Sequence, residues 1–224
     1  MKSLYLRSLC ALLIGAALYA ALAPASLAAK KEVAPALQPA DFVPVAEGAS
    51  LFRLESESWV AEGDGWAIWL KPISREERLN FIKRKTGFGI DPYAARPGQQ
   101  PVYFTFLLVV ENRGSSALDF SPQSAWLRTN RQQVLLPQGL AELSFNYRVM
   151  GRELPVAYEQ IKGALYEAAV SIPPGERSAG LLVYDMLRPK TKSWNLSLRM
   201  TLPSGDRIAL AAPYERVKPP KKKK

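Results

Sequence analysis

The chain has no histidine, and its one cysteine, Cys10, lies inside an apolar N-terminal run. A Ser-His-Asp triad, a Cys-His pair and a histidine-ligated zinc ion therefore have no residues to build them. No serine is followed three residues on by lysine, the spacing of a serine–lysine nucleophile, and no GxxxxGK[S/T] phosphate loop occurs. Oxygen ligands for calcium come nearest to clustering at Glu62 and Asp64, but the repeated acidic positions of a known loop are missing, and the segment reads as a turn. Two facing carboxylates would suffice for a hydrolase acting on glycosides. The twenty acidic residues are spread along the chain, however, and no pair stands out. Glu76 and Glu77 are explained by helix capping, and Asp185 by the end of a strand. The residues name no catalytic set, no metal site and no cofactor.

What remains is contact chemistry. Trp69 falls on the more polar side of its strand, together with Lys71. An exposed indole there stacks on a sugar or anchors a protein partner. In the competing reading, the helix that follows Ser74 or the N-terminal segment covers it. Trp66, Trp126 and Trp194 are expected in the core. A carbohydrate-binding surface needs at least two coplanar exposed aromatics, for which Trp59, Trp66 and Trp69 are the candidates. The second contact element is the tail, with Lys218, Lys221, Lys222, Lys223 and Lys224 around Pro219 and Pro220. Such a run contacts anionic lipid, an envelope polymer or an acidic partner, or else serves only as a solvated extension.

The elements that must position these residues begin after a leader. Lys2 and Arg7 precede an apolar run from Leu9 to Ala23, then Pro24 and small residues up to Ala29. This is the pattern of a secretory signal peptide over residues 1–29, cut near Ala28 or Ala29. The same segment kept as an uncleaved anchor is the rival reading. No later segment is apolar and long enough to span a membrane. About 196 residues then remain, enough for one domain without disulfides. Of the formal net charge of +10, Lys2 and Arg7 leave with the leader and the tail supplies five, so the body carries only about +3. A body so near neutrality gives no reason to expect a nucleic-acid partner.

Residues 30–48, with Pro35, Pro39 and Pro44, read as an extended linker or a strand along the domain edge. Strands are expected over Leu51 to Ser56 and, after a turn at Gly63-Asp64-Gly65, from Trp66 onward. Ser74 and Glu77 form a capping box for a helix with Leu79 and Ile82 inward, stopped by Gly87. A central strand runs from Val102 to Glu111 and ends at Asn112-Arg113-Gly114. Short strands follow at Ala117 to Phe120 and Ala125 to Thr129, with a hairpin onto Gln133 to Leu136. Tyr158, Ile161 and Leu165 have helical spacing within an insertion at 137–168. Strands resume at Ala168 to Ile172 and, after a Pro173-Pro174-Gly175-Glu176 turn, at Gly180 to Tyr184. Trp194 to Leu202 and Arg207 to Ala211 make a final hairpin. The expected domain spans 49–217, with a tail at 218–224. The fold class is all-β, an antiparallel sandwich with two short helical insertions.

The succession of a central strand ending in Val110-Glu111-Asn112-Arg113-Gly114, then Leu118-Asp119-Phe120, the Pro-Pro-Gly-Glu turn and Gly180-Leu181-Leu182-Val183-Tyr184 resembles the immunoglobulin-like modules of unknown function in exported bacterial proteins and lipoproteins. The resemblance covers about residues 101–212 and speaks to fold and location. It brings no active-site residues, and the segment before residue 100 and the insertion at 137–168 depart from it. The expectation is a non-catalytic module of the cell envelope, periplasmic or secreted, that binds another envelope protein. A carbohydrate-binding module and a carboxylate-dependent hydrolase are the alternatives.

Overall fold

The alternation of apolar and polar residues resolves into two antiparallel sheets in a computed structural model that describes residues 37–89, 91, 93, 103–139, 142 and 161–217. The first sheet has seven strands. Its path runs from β1 (Phe42–Pro44) through β12 (Arg207–Arg216), β11 (Ser193–Thr201) and β6 (Leu118–Phe120) to β9 (Val170–Ile172). A branch, β7 (Ala125–Thr129), also pairs with β11 and carries β8 (Val134–Leu135). The second sheet has five strands, in the order β10 (Arg177–Asp185), β5 (Tyr103–Asn112), β4 (Trp66–Pro72), β3 (Ser58–Gly63) and β2 (Arg53–Glu55).

The inward faces of the two sheets share one core. In β11 the alternation buries Trp194, Leu196, Leu198 and Met200 and leaves Arg199 and Thr201 in water. From the facing sheet, Phe104 and Phe106 meet the Trp194 indole edge-on at 5.5 and 5.3 Å, while Tyr214 of the neighbouring strand β12 stacks on it at 3.9 Å. The Tyr184 hydroxyl crosses to donate to the Ala125 carbonyl at 3.2 Å.

The strand β5 is apolar along its inner face and buried over most of its outer face. Its outer residues Tyr103 and Leu107 pack in a second, smaller core with Ile73, Phe81, Ile82, Tyr93 and Ile161. The helix α1 (Arg75–Thr86) supplies much of that cover. Glu77 N donates to Ser74 Oγ at 3.3 Å and Ser74 N to Glu77 Oε2 at 2.8 Å, which completes the capping box. Gly87 ends the helix at φ 82°. The expected anchors are corrected in part: Ile82 is buried, but its companions are Phe81 and Arg78, while Leu79 is only half-buried. Arg78 is admitted to this core by Asp91, which accepts from its Nε at 2.9 Å and its Nη2 at 2.7 Å, and by Thr105, whose Oγ1 accepts from Nη1 at 3.0 Å.

Other expectations shift in detail. Leu51 to Ser56 narrows to β2, and β3 was not anticipated. The two make a hairpin closed at Ser56, which takes φ 56°, and the polar run Glu55 to Ser58 hid the strand on its far side. The described part of 30–48 is the edge-strand alternative, with Leu37 and Phe42 in the core and β1 paired to β12. The last strand is longer than expected, because β1 pairs with its distal half. Tyr158 lies outside the described residues. Ile161 is buried beside a 3-10 turn at Lys162–Ala164, but Leu165 is extended and bridges to Leu181 instead of continuing a helix. Among the described residues, no helix is long and apolar enough to cross a membrane.

Candidate interaction surface

The strand register builds a surface on the outer face of the five-stranded sheet. Val60, Trp69, Val109 and Ala179 lie side by side across β3, β4, β5 and β10. Two residues along the strands, on the same face, follow Glu62, Ala67, Glu111 and Arg177. Arg113 comes just after β5, held by its N–H donating to Gly65 O at 2.8 Å. This places two guanidinium groups on the half-buried Trp69 indole, Arg177 at 5.0 Å and Arg113 at 5.7 Å from the ring centre.

Arg113, with Arg53 beyond it, is held by a chain of carboxylates. Arg113 donates to Glu111 Oε1 at 3.0 Å and to Glu62 Oε1 at 3.1 Å, and Arg53 reaches Glu62 Oε2 and Glu55 Oε1, each at 2.6 Å. Hydrogen bonds from Arg53 and then Arg113 hold the Glu62 carboxyl below its ordinary value, and Arg113 does the same for Glu111. Such exposed pairs add little stability individually; their effect here is to orient the Arg113 guanidinium. Glu62 is thus committed to arginines, and among the described residues no group of three potential metal ligands comes together.

Beside Trp69, the next row on this face is Lys71, Leu107 and Leu181, which leads into a groove of about 510 Å³ between the sheet and α1. Lys71 donates to Glu77 Oε1 at 2.8 Å and lies 3.3 Å from Glu57. Lys83 and Arg84 of the last helical turn line the groove's far side. Partial burial pushes the Glu77 carboxyl up, but bonds from Lys71 and Ser74 outweigh it and hold it below its usual range. The surface therefore presents the half-buried Trp69 among cations, several of them oriented by carboxylates, while Val60 and Val109 beside it are buried.

The tryptophans separate in a way that the sequence showed only in part. Trp59 and Trp66 are buried in the core, so neither forms an exposed platform with Trp69. Trp69 is half-buried, with Arg113 and Arg177 over its ring. Trp126, expected in the core, is half-buried on the outer side of the seven-stranded sheet with Arg199 at 4.7 Å. Parity explains this: Ala125, Leu127 and Thr129 take the inner positions of β7. Arg113 and Arg177 were missed as contact residues, and the signal available was the pairing of β5 with β10, which sets Arg177 opposite Glu111. Lys218, Lys221, Lys222, Lys223 and Lys224 lie outside the described residues.

No family model matches the chain, and no curated protein does. Solved structures show a distant likeness. The yjhA protein from Bacillus subtilis is 12% identical, with 67% of this chain and 93% of that chain covered and a TM-score of 0.37. A FixG-related protein from Vibrio parahaemolyticus is 9% identical over 70% of this chain and 100% of the other, with a TM-score of 0.35. A functionally unknown protein from Listeria monocytogenes EGD-e is 9% identical over 82% and 90%, with a TM-score of 0.37. At these scores the likeness carries no argument about what this chain does.

Proposed function

We propose that the protein is an exported, non-catalytic module of the cell envelope, immunoglobulin-like in type, that holds a protein partner against the outer face of its five-stranded sheet. The observation that carries this reading is the half-buried Trp69 with the guanidinium groups of Arg113 and Arg177 over its ring, near a groove that combines Ile73, Phe81 and Leu107 with charged side chains. Tryptophan and arginine dominate binding energy at protein interfaces, because each combines a large apolar area with directed polar contacts. The leader-like N-terminus, with the missing imidazole and thiol chemistry of the remaining chain, supports the envelope assignment. Trp69 stands without an exposed aromatic neighbour from β3 or β4, which favours a protein over a sugar as its partner.

The test is formaldehyde cross-linking in intact cells of the source organism, comparing the wild-type protein with Trp69→Ala and Arg177→Ala. A discrete adduct that weakens at least ten-fold in both variants supports the reading. An adduct of unchanged yield, or none in the wild type, overturns it.

A further inference from the structure

Asp64 and Gly65 form the two-residue turn that joins β3 to β4, closed by the pairing of Gly63 with Trp66. Glycine is required at position 65 on two counts. It takes φ 78°, and a Cβ there would stand 3.1 Å from Gly114 Cα in the turn that follows β5. The same close approach lets Gly65 O accept from Arg113 N at 2.8 Å, and the Arg113 guanidinium lies over the Trp69 ring. Aspartate suits the position before the glycine, because its short polar side chain is at home in turns. The fold thus sets an Asp-Gly pair at an exposed hairpin tip. Asp64 is the one aspartate of the sequence followed by glycine, and no asparagine is.

The Asp64 side chain is exposed, and among the described residues it has neither a hydrogen bond nor an ion pair. The peptide unit that links the two residues is equally unengaged among the described residues: Asp64 O accepts no hydrogen bond and Gly65 N donates none. Turning that unit to bring the Gly65 nitrogen onto Asp64 Cγ therefore breaks no hydrogen bond of its own, and glycine offers no side chain to obstruct the approach. The surroundings of other aspartates differ. Asp41, Asp91 and Asp206 accept hydrogen bonds from Gln38 N, Arg78 and Ser204, and they are followed by Phe42, Pro92 and Arg207.

We propose that Asp64 is a site of spontaneous backbone isomerisation, which converts the hairpin tip to an isoaspartyl linkage and releases Arg113 N from its anchor. In the first step the Gly65 nitrogen attacks Asp64 Cγ. The N–Cγ bond forms and one Cγ–O bond breaks; that oxygen leaves as water, with the Gly65 amide proton and a proton the carboxylate takes from solvent. Water then adds to one of the two carbonyl carbons of the cyclic imide. Addition at Cγ restores aspartate. Addition at the main-chain carbonyl carbon of Asp64 breaks its bond to the Gly65 nitrogen, so that carbon becomes the free carboxylate and the chain now runs through Cβ and Cγ. The water lost in the first step is regained in the second, and no oxidant, reductant or cofactor takes part. The main chain is one carbon longer afterwards. Because the pairing of β3 with β4 fixes Gly63 and Trp66, the added atom must be taken up inside the turn, which moves Gly65 O off Arg113 N. The inference stands independently of a partner at Trp69.

The experiment is ageing of the purified full chain at neutral pH and 37 °C, under conditions where circular dichroism shows it folded. Isoaspartate is measured by methyl transfer with an isoaspartyl methyltransferase and located by peptide mapping; a peptide lighter by one water marks the imide. The wild type is expected to accumulate isoaspartate at position 64, exceeding Asp64→Glu by a factor of ten or more, because glutamate would have to close a larger ring. The Glu variant is the control, since the Cβ of Gly65→Ala would crowd Gly114 and disturb the turn. Amide hydrogen exchange at Arg113 reads the consequence: the aged wild type loses protection there by a factor of ten or more, and aged Asp64→Glu keeps it. A synthetic peptide of residues 58–70 sets the time scale. No isoaspartate at position 64 of the folded chain after half of that peptide has converted would overturn the proposal. Isoaspartate with undiminished protection at Arg113 would overturn the release of its anchor.

Discussion

Replacing Asn112 tests how the two sheets are fastened together. Its side chain is 1% exposed at the end of β5, yet it reaches into the opposite sheet: Nδ2 donates to Ile172 O at 2.7 Å and to Ser116 O at 2.8 Å. Oδ1 accepts from Gly114 N at 2.9 Å, closing the turn that carries Arg113 toward Trp69. In Asn112→Ala, Ser116 and Gly114 lie near enough to the surface to turn to water, but the Ile172 carbonyl is left buried without its donor. An orphaned buried group costs about 1–3 kcal/mol, and each lost hydrogen bond about 1 kcal/mol more, so the expected loss is about 3–4 kcal/mol. For a domain of this size that lowers the melting temperature by about 10 °C. Asn112→Asp keeps the shape and the bond from Gly114 but sets a carboxylate against two carbonyl oxygens. The folded state then favours the protonated acid, so its pKa rises above the unfolded value near 4, and stability falls as pH rises through that value and beyond. Urea unfolding followed by circular dichroism at pH 4 and pH 7 measures both effects. A loss below about 1 kcal/mol for Asn112→Ala, or an aspartate variant whose deficit relative to the wild type is the same at both pH values, would refute the reasoning.

Three further outcomes follow from the same contacts. Asp91→Ala strands the buried Arg78 guanidinium and should cost about 3–5 kcal/mol in urea unfolding, while the double change with Arg78→Met should recover part of the loss because no buried charge is left unpaired. Gly180→Ala places a Cβ 2.8 Å from the Tyr166 ring, and the overpacking should cost about 1–3 kcal/mol. With no histidine to titrate, stability should be flat across neutral pH and fall at both extremes. On the acid side, Glu62, Glu77 and Glu111 have folded values below their ordinary ones, so their contribution is lost as pH falls through those values. On the alkaline side, burial raises Tyr166 to about 12, against a partial opposing effect of its bond to Ser178. Stability is therefore lost as pH rises from about 10 to 12, by about 3 kcal/mol for this residue. A titration of unfolding free energy from pH 3 to 12 checks both limbs.

Much of this architecture could be read from local signals. The parity of Trp194 to Met200, the capping box at Ser74 and Glu77, and the Gly175 turn each fix their element from a few adjacent residues. What stayed hidden depends on pairing between distant segments. Nothing local to Arg177 indicates that it lies over Trp69, because that contact is set by the register of β10 on β5 and of β5 on β4. Arg78 reads as a solvated residue of a charged helix until Asp91 and Thr105 are seen beneath it. Likewise, β1 supplies too few residues to show a pattern of its own, and its partners lie at least 170 residues away. Trp126 was misplaced for a simpler reason: its size suggested burial, while its neighbours Ala125 and Leu127 already occupied the inner positions.

The central claim is that the Trp69 face meets a protein partner, and site-specific photo-cross-linking examines it most directly. A photoreactive phenylalanine analogue is placed at position 69, or at Val134, which is 51% exposed on the other sheet, and the cells are irradiated. The account predicts one discrete protein adduct from position 69 and none from 134. Equal labelling from both positions, or no adduct from 69, would contradict it.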